Sequence, residues 1–123
     1  MTAGITTSVG VTTCTTTGQS AHDHQVRGPQ VIRKTAALFR ALGDPDRLRL
    51  LELLYDGEHC VGELAEEMDE SMSVISQRLK ILYQAELVSR QRQGKHIYYA
   101  LADQHVVDLL ANGFEHAMGD EHE

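Results

Sequence analysis

The sequence predicts a mainly α domain carrying one β-hairpin, an α+β fold, and three observations carry that prediction. Apolar residues recur at helical spacing in five stretches between Pro29 and Met118. One stretch, Leu87 to Leu101, reads instead as two strand-like runs flanking Gly94. Breaks such as Gly43-Asp44-Pro45 and Asp56-Gly57 separate the periodic stretches. At 123 residues and 41% hydrophobic content, the chain suits one domain with a modest core.

Residues 1–27 are rich in Thr, Ser and Gly without an apolar period, so a mobile tail is expected there. The folded domain is expected over residues 28–123. Pro29 opens a helix whose apolar positions are Val31, Ile32, Leu38, Phe39 and Leu42, and Gly43 ends it. Asp44-Pro45 reads as the N-cap and first residue of a second helix. Its leucines at 48, 50, 51, 53 and 54 make it apolar nearly all round, which implies burial. Cys60 to Met68 reads as a third helix, with Val61, Leu64, Ala65 and Met68 inward.

After a turn at Asp69-Glu70-Ser71, a fourth helix is expected from about Met72 to Gln84. Ile75, Leu79, Leu82 and Tyr83 should point inward, and Ser73, Ser76, Gln77, Arg78 and Lys80 outward. Two helices joined by a tight turn fit a helix-turn-helix, whose second helix reaches base edges and phosphates. An ordinary helix with a solvated face fits the same residues. The hairpin that follows has a basic tip with Arg90, Arg92 and Lys95, as a DNA-tracking wing would. The fold expected is thus a winged helix-turn-helix.

Net charge is −7, yet Ser71 to Tyr99 holds five basic residues and one acid, a local charge of +4 that leaves −11 elsewhere. A basic island in an acidic chain favours local contact with phosphate. No run of apolar residues approaches the ~20 of a membrane span. The start lacks the pattern of an export signal, so a cytosolic location is expected. There, Cys14 and Cys60 suit thiols or metal ligands better than a disulfide.

The final helix, Asp103 to Asp120, carries an apolar stripe of Val106, Val107, Leu110, Phe114, Ala117 and Met118. Asp103 is its expected N-cap. Asp103, His105 and His116 are potential metal ligands at its two ends. The histidines face one way but lie about 16 Å apart along the axis. Zinc holds its ligands at roughly 2 Å, so one ion cannot bind both within one chain. Two antiparallel copies bring His105 of one to His116 of the other, giving two equal sites per dimer. The spacing therefore suggests a metal-responsive homodimer. A terminal packing helix with solvated polar ends is the plainer alternative.

These segments together resemble the ArsR/SmtB family of bacterial winged-helix metal-sensing repressors, in its zinc-responsive SmtB-like branch. The resemblance rests on Leu42-Gly43-Asp44-Pro45-Asp46-Arg47-Leu48-Arg49-Leu50-Leu51, Cys60-Val61-Gly62-Glu63-Leu64, Val74-Ile75-Ser76-Gln77-Arg78-Leu79-Lys80, Leu87-Val88 and Gly94-Lys95-His96-Ile97-Tyr98-Tyr99. It runs from about Pro29 to Met118. It implies a homodimer, joined through the N- and C-terminal helices, on a palindromic double-stranded operator. Metal releases that dimer and derepresses efflux or metallothionein genes.

The resemblance also implies two metal sites. On the last helix, Asp103, His105 and His116 match the family's first three ligands. Gly119 stands at the fourth, and Asp120 is the substitute. A second site joins the tail of one protomer to the third helix of the other. Cys60 matches its cysteine, Glu63 replaces an Asp, Cys14 matches the tail cysteine, and His22 or His24 supplies the imidazole. Such donors suit Zn(II) first, and also Cd(II) or Cu(I). Gly62 interrupts the Cys-Val-Cys of arsenic, lead and cadmium sensors. The expected DNA contacts are Ser73, Ser76, Gln77, Arg78, Lys80, Arg90, Arg92 and Lys95. The alternative is a repressor of the same fold sensing redox state or reactive sulfur through Cys14 and Cys60. No nucleophile motif, oxyanion signal or small-molecule substrate site is found, so an enzyme is not expected.

Overall fold

A computed structural model describes residues 27–119. The chain divides into two compact units, residues 1–33 and residues 34–123. Within the first, residues 29–33 begin helix α1 (Pro29–Leu42), and the Ile32 N–H donates to the Gly28 carbonyl at 3.1 Å.

The second unit contains the rest of α1, then α2 (Pro45–Leu54), β1 (His59–Cys60), α3 (Val61–Met68), α4 (Met72–Gln84), β2 (Val88–Gln93), β3 (His96–Leu101) and α5 (Gln104–Gly119). The mainly α domain with a hairpin is thus present as expected. The corner between α1 and α2 follows from local chemistry. A side chain at Gly43 would sit 3.3 Å from the Phe39 carbonyl, so a residue without one ends α1. The Asp44 carboxylate accepts the Arg47 N–H at 3.0 Å and caps α2, while Pro45 gives up an N–H that had no partner to find. The Arg47 Nε donates to the Ala41 carbonyl at 2.9 Å, satisfying an open acceptor at the end of α1.

Among the described residues the core is apolar. Leu50, Leu51, Leu64, Ile75, Leu79, Leu82 and Leu87 are fully enclosed, with Leu54, Val88, Tyr99, Val106 and Leu110 around them. The apolar all-round second helix is therefore central, as its sequence requires.

Helices α3 and α4 meet across the expected tight turn. Asp69 closes α3 in the left-handed conformation (φ 54), and the Ser71 hydroxyl accepts the Val74 N–H at 3.2 Å to start α4. A second left-handed residue, Glu86 (φ 62), turns the chain from α4 into β2. The Leu87 N–H there reaches back to the Leu82 carbonyl at 2.9 Å. The hairpin pairs Val88 with Leu101 and Gln93 with His96, around a two-residue turn whose Gly94 has φ +66.

One element differs from the sequence reading. Cys60 is not the opening of the third helix; with His59 it forms a two-residue strand on β3, giving the order β1-β3-β2. Cys60 is extended (φ −88, ψ 167) and serves as the N-cap of α3. The backbone bonds that β3 offers on its far edge decide the matter, and no local periodicity records them. Tyr83, expected inward, is exposed, with the Arg90 guanidinium of the wing lying over its ring.

Candidate functional site

Three groups of side chains stand out. The first is the face of α4. Ser73, Ser76, Gln77 and Lys80 are exposed along it, as their positions between Ile75, Leu79 and Leu82 dictate. Arg78 is a correction. It turns away from solvent, its side chain is 19% exposed, and its guanidinium pairs with Asp46 and Glu70 at 3.4 Å each. Asp46 lies 32 residues away, on α2, so the pattern within α4 carries no trace of the pairing. Nη1 of Arg78 is buried without a hydrogen-bond partner among the described residues.

The second group is the hairpin. Arg90, Arg92 and Lys95 are all exposed. The Arg90 guanidinium lies over the Tyr83 ring, 3.9 Å from its centroid, and a hydrogen bond to the Tyr99 side chain raises its pKa. Arg92 donates to the Gly94 carbonyl at 3.4 Å across the tip. This stacking joins the end of helix α4 to the wing. The sequence shows both partners but not the contact, because Tyr83 falls at an inward position of the helical period.

The third group comprises possible metal ligands. Asp103 caps α5, its Oδ1 accepting the Val106 N–H at 3.2 Å. His105 Nδ1 stands 3.6 Å from the same Asp103 oxygen, with its side chain 96% exposed. His116 is exposed in the last turns of the same helix. Among the described residues no three ligating side chains come together. Asp103 and His105 are thus two neighbouring exposed donors, fewer than the four that a tetrahedral zinc site takes.

Cys60 is a free, half-buried thiol. The Glu63 carboxylate accepts the Cys60 N–H at 3.0 Å and lies 3.3 Å from His59 Nδ1. The Cys60 N–H, above all, lowers the pKa of Glu63, and His59 adds to the effect. Glu63 is therefore engaged in capping α3. Cys14, His22, His24 and Asp120 lie outside the described residues.

Several large apolar side chains are exposed: Met72 opens α4 with a 57% exposed side chain, and Val31, Ile32 and Phe39 are similarly open on α1. No helix among the described residues is long and apolar enough to cross a membrane.

Comparison with known proteins agrees with this architecture. Residues 44–90 match the pattern described as "Bacterial regulatory protein, arsR family". A transcriptional repressor SmtB homolog of Synechocystis is 41% identical over 102 residues, covering 77% of each chain. The arsenical resistance operon repressor of Bacillus subtilis is 37% identical over 83 residues, covering 67% of this chain and 79% of the relative. Among solved structures, the homodimeric winged helix-turn-helix DNA-binding domain of a possible ArsR-family regulator from Mycobacterium bovis superposes with a TM-score of 0.69. It is 28% identical and covers 80% of this chain and 92% of that one. The chain belongs to the ArsR/SmtB family of winged helix-turn-helix transcriptional regulators, and it is a DNA-binding protein rather than an enzyme.

Proposed function

We propose that the protein is a zinc-responsive repressor whose metal-free homodimer holds a palindromic operator and lets go when zinc binds across the dimer. Its relatives include a probable mercury resistance operon repressor, an arsenical resistance operon repressor and a homolog of a cadmium resistance regulator, which supports metal-responsive repression in general. One observation carries the finer reading. Asp103 and His105 form an exposed half-site at the start of α5, and His116 stands eleven residues along the same helix. Only a second, antiparallel copy brings His116 to the pair.

Zn(II) would supply a cross-link between donors of two chains. Asp103 and His105 of one protomer and His116 of its partner would hold it, with Asp120 as the substitute for the absent side chain of Gly119. Cys14, His22, His24, Cys60 and Glu63 are proposed as the second, tail-linked site. The basic face provides the operator contacts. Ser73, Ser76 and Gln77 reach base edges, while Lys80, Arg90, Arg92 and Lys95 reach phosphates.

The residues also supply a route between the two functions. Ala102, next to Asp103, donates its N–H to the Leu87 carbonyl at 3.0 Å, and Leu87 donates to Leu82 in α4 at 2.9 Å. Two backbone hydrogen bonds thus separate the Asp103 segment from the reading helix. Drawing Asp103 toward a partner's histidine pulls on the cap of α5 and on that path. A coupling of about 1–3 kcal/mol changes DNA affinity by roughly 5–150-fold.

Fluorescence anisotropy on the protein's own upstream DNA, with zinc, Cd(II), Cu(I) or chelator, tests this. His116→Ala should bind DNA as tightly as wild type without metal and resist release by zinc. Zinc affinity measured with and without operator must differ by the same factor as DNA affinity does. An unchanged zinc affinity refutes the coupling. Release that ignores zinc but is lost in Cys60→Ser selects a thiol sensor instead.

A further inference from the structure

Helix α4 begins with a side chain that its environment does not explain. Its other apolar residues in the first turns, Val74 and Ile75, are half-buried and buried, whereas Met72 is 57% exposed. Around it stand Ser71, Ser73 and Ser76, all exposed and all short. Ser71 is occupied as the N-cap, and Glu70 is occupied by Arg78. Four residues separate Met72 from Ser76, which places it about 40° round the helix and about 6 Å nearer the N-terminus. It is the longest side chain on the leading tip of the helix.

Position and chemistry then select an occupant. In a helix-turn-helix, the N-terminal residues of the second helix meet base edges in the major groove. The apolar feature of that groove is the C5-methyl group of thymine. Serine hydroxyls donate or accept and suit several bases, so they discriminate weakly. An unbranched thioether chain adapts to the position of a methyl group and covers it from water.

We infer that Met72 covers a thymine methyl in each half-site of the operator and sets the preference at that base pair. The inference rests on the DNA-binding reading above. Burying one methyl-sized group contributes about 0.8 kcal/mol, or about fourfold in affinity per half-site.

The experiment starts with the full-length metal-free protein and a randomised duplex library at low salt. Failure to enrich any duplex overturns DNA reading itself, and this inference with it. From the enriched duplex, each thymine is replaced singly by deoxyuridine, which removes the methyl and leaves the hydrogen-bonding edges intact. Wild type should lose about fourfold at one symmetry-related pair of thymines. Met72→Ala should bind the parent duplex more weakly and be indifferent to deoxyuridine at that pair. Met72→Gln, which keeps the side-chain length at an exposed helical position, should show the same indifference with an unchanged melting temperature. The inference is overturned if no thymine is sensitive in wild type. It is equally overturned if the sensitive thymines respond alike in wild type and both variants.

Discussion

Arg78→Met separates two roles that a basic residue on α4 can have. A phosphate contact requires a free guanidinium, whereas this one is turned toward Asp46 and Glu70, whose side chains are 61% and 39% exposed. Carboxylates so open to water gain little from a partner, about 0–1 kcal/mol each. Against that stands the buried, unpartnered Nη1, a cost of about 1–3 kcal/mol. Methionine keeps most of the side-chain stem and removes both contributions, so Arg78→Met should match wild type or exceed it by about 1 kcal/mol. Arg78→Ala also loses the packing of the stem and should fall about 1–2 kcal/mol below wild type. Urea unfolding at fixed protein concentration measures both. DNA affinity is then followed against salt. The slope of log K on log[salt] should be the same for Arg78→Met and wild type. Lys80→Ala, which removes an exposed charge from each protomer, should reduce it by about 1.8 per dimer. A reduction of that size in Arg78→Met would show that Arg78 leaves its carboxylates to hold phosphate, and the internal assignment would be wrong.

Three further outcomes are expected. Leu79→Ala empties a fully enclosed position of α4 and should cost about 2–5 kcal/mol in urea unfolding; a cost below about 1 kcal/mol would contradict its central place. Asp103→Ser keeps an oxygen to cap α5, so metal-free thermal melting should stay near wild type while chelator competition shows weakened zinc binding. Asp103→Ala should lose the cap as well, about 0.5–2 kcal/mol. Glu63 has its pKa lowered in the folded protein by the Cys60 N–H, so its contribution is present above the ordinary carboxylate value of 4.5 and lost as acid carries the pH below its folded pKa. The stability gap between wild type and Glu63→Gln should accordingly be full at neutral pH and close on acidification. A gap that widens in acid would reverse the sign.

The helices were legible because each carries its own signals. Asp44-Pro45 and Ser71 mark starts, Gly43 marks an end, and the leucines of α2 demand burial from every side. The hairpin was legible because Gly94 occupies the one turn that needs a positive φ between two strand-like runs. What escaped depends on residues far apart in the chain. His59 and Cys60 become a strand only because Tyr98 and Tyr99 lie alongside. Arg78 turns inward toward a carboxylate on α2, and Tyr83 stays open under Arg90. At the candidate metal centre, the sequence placed Asp103 as cap and separated the two histidines correctly along one helix. The 3.6 Å approach of His105 to Asp103 required the chain's actual path into α5.

The corner at Glu86 has a consequence for how the molecule yields. Its left-handed backbone (φ 62) costs a side-chain-bearing residue about 1–2 kcal/mol, and the exposed pairing of its carboxylate with Lys34 at 3.4 Å offsets little of that. The bend is imposed by its neighbours, since Glu86 itself would rather straighten. Glu86→Gly should remove the strain and raise the melting temperature by about 4–8 °C per kcal/mol recovered. In the native chain the enclosed Leu82 and Leu87 on either side hold this joint in place, so its strain is released only when the leucine interior itself gives way.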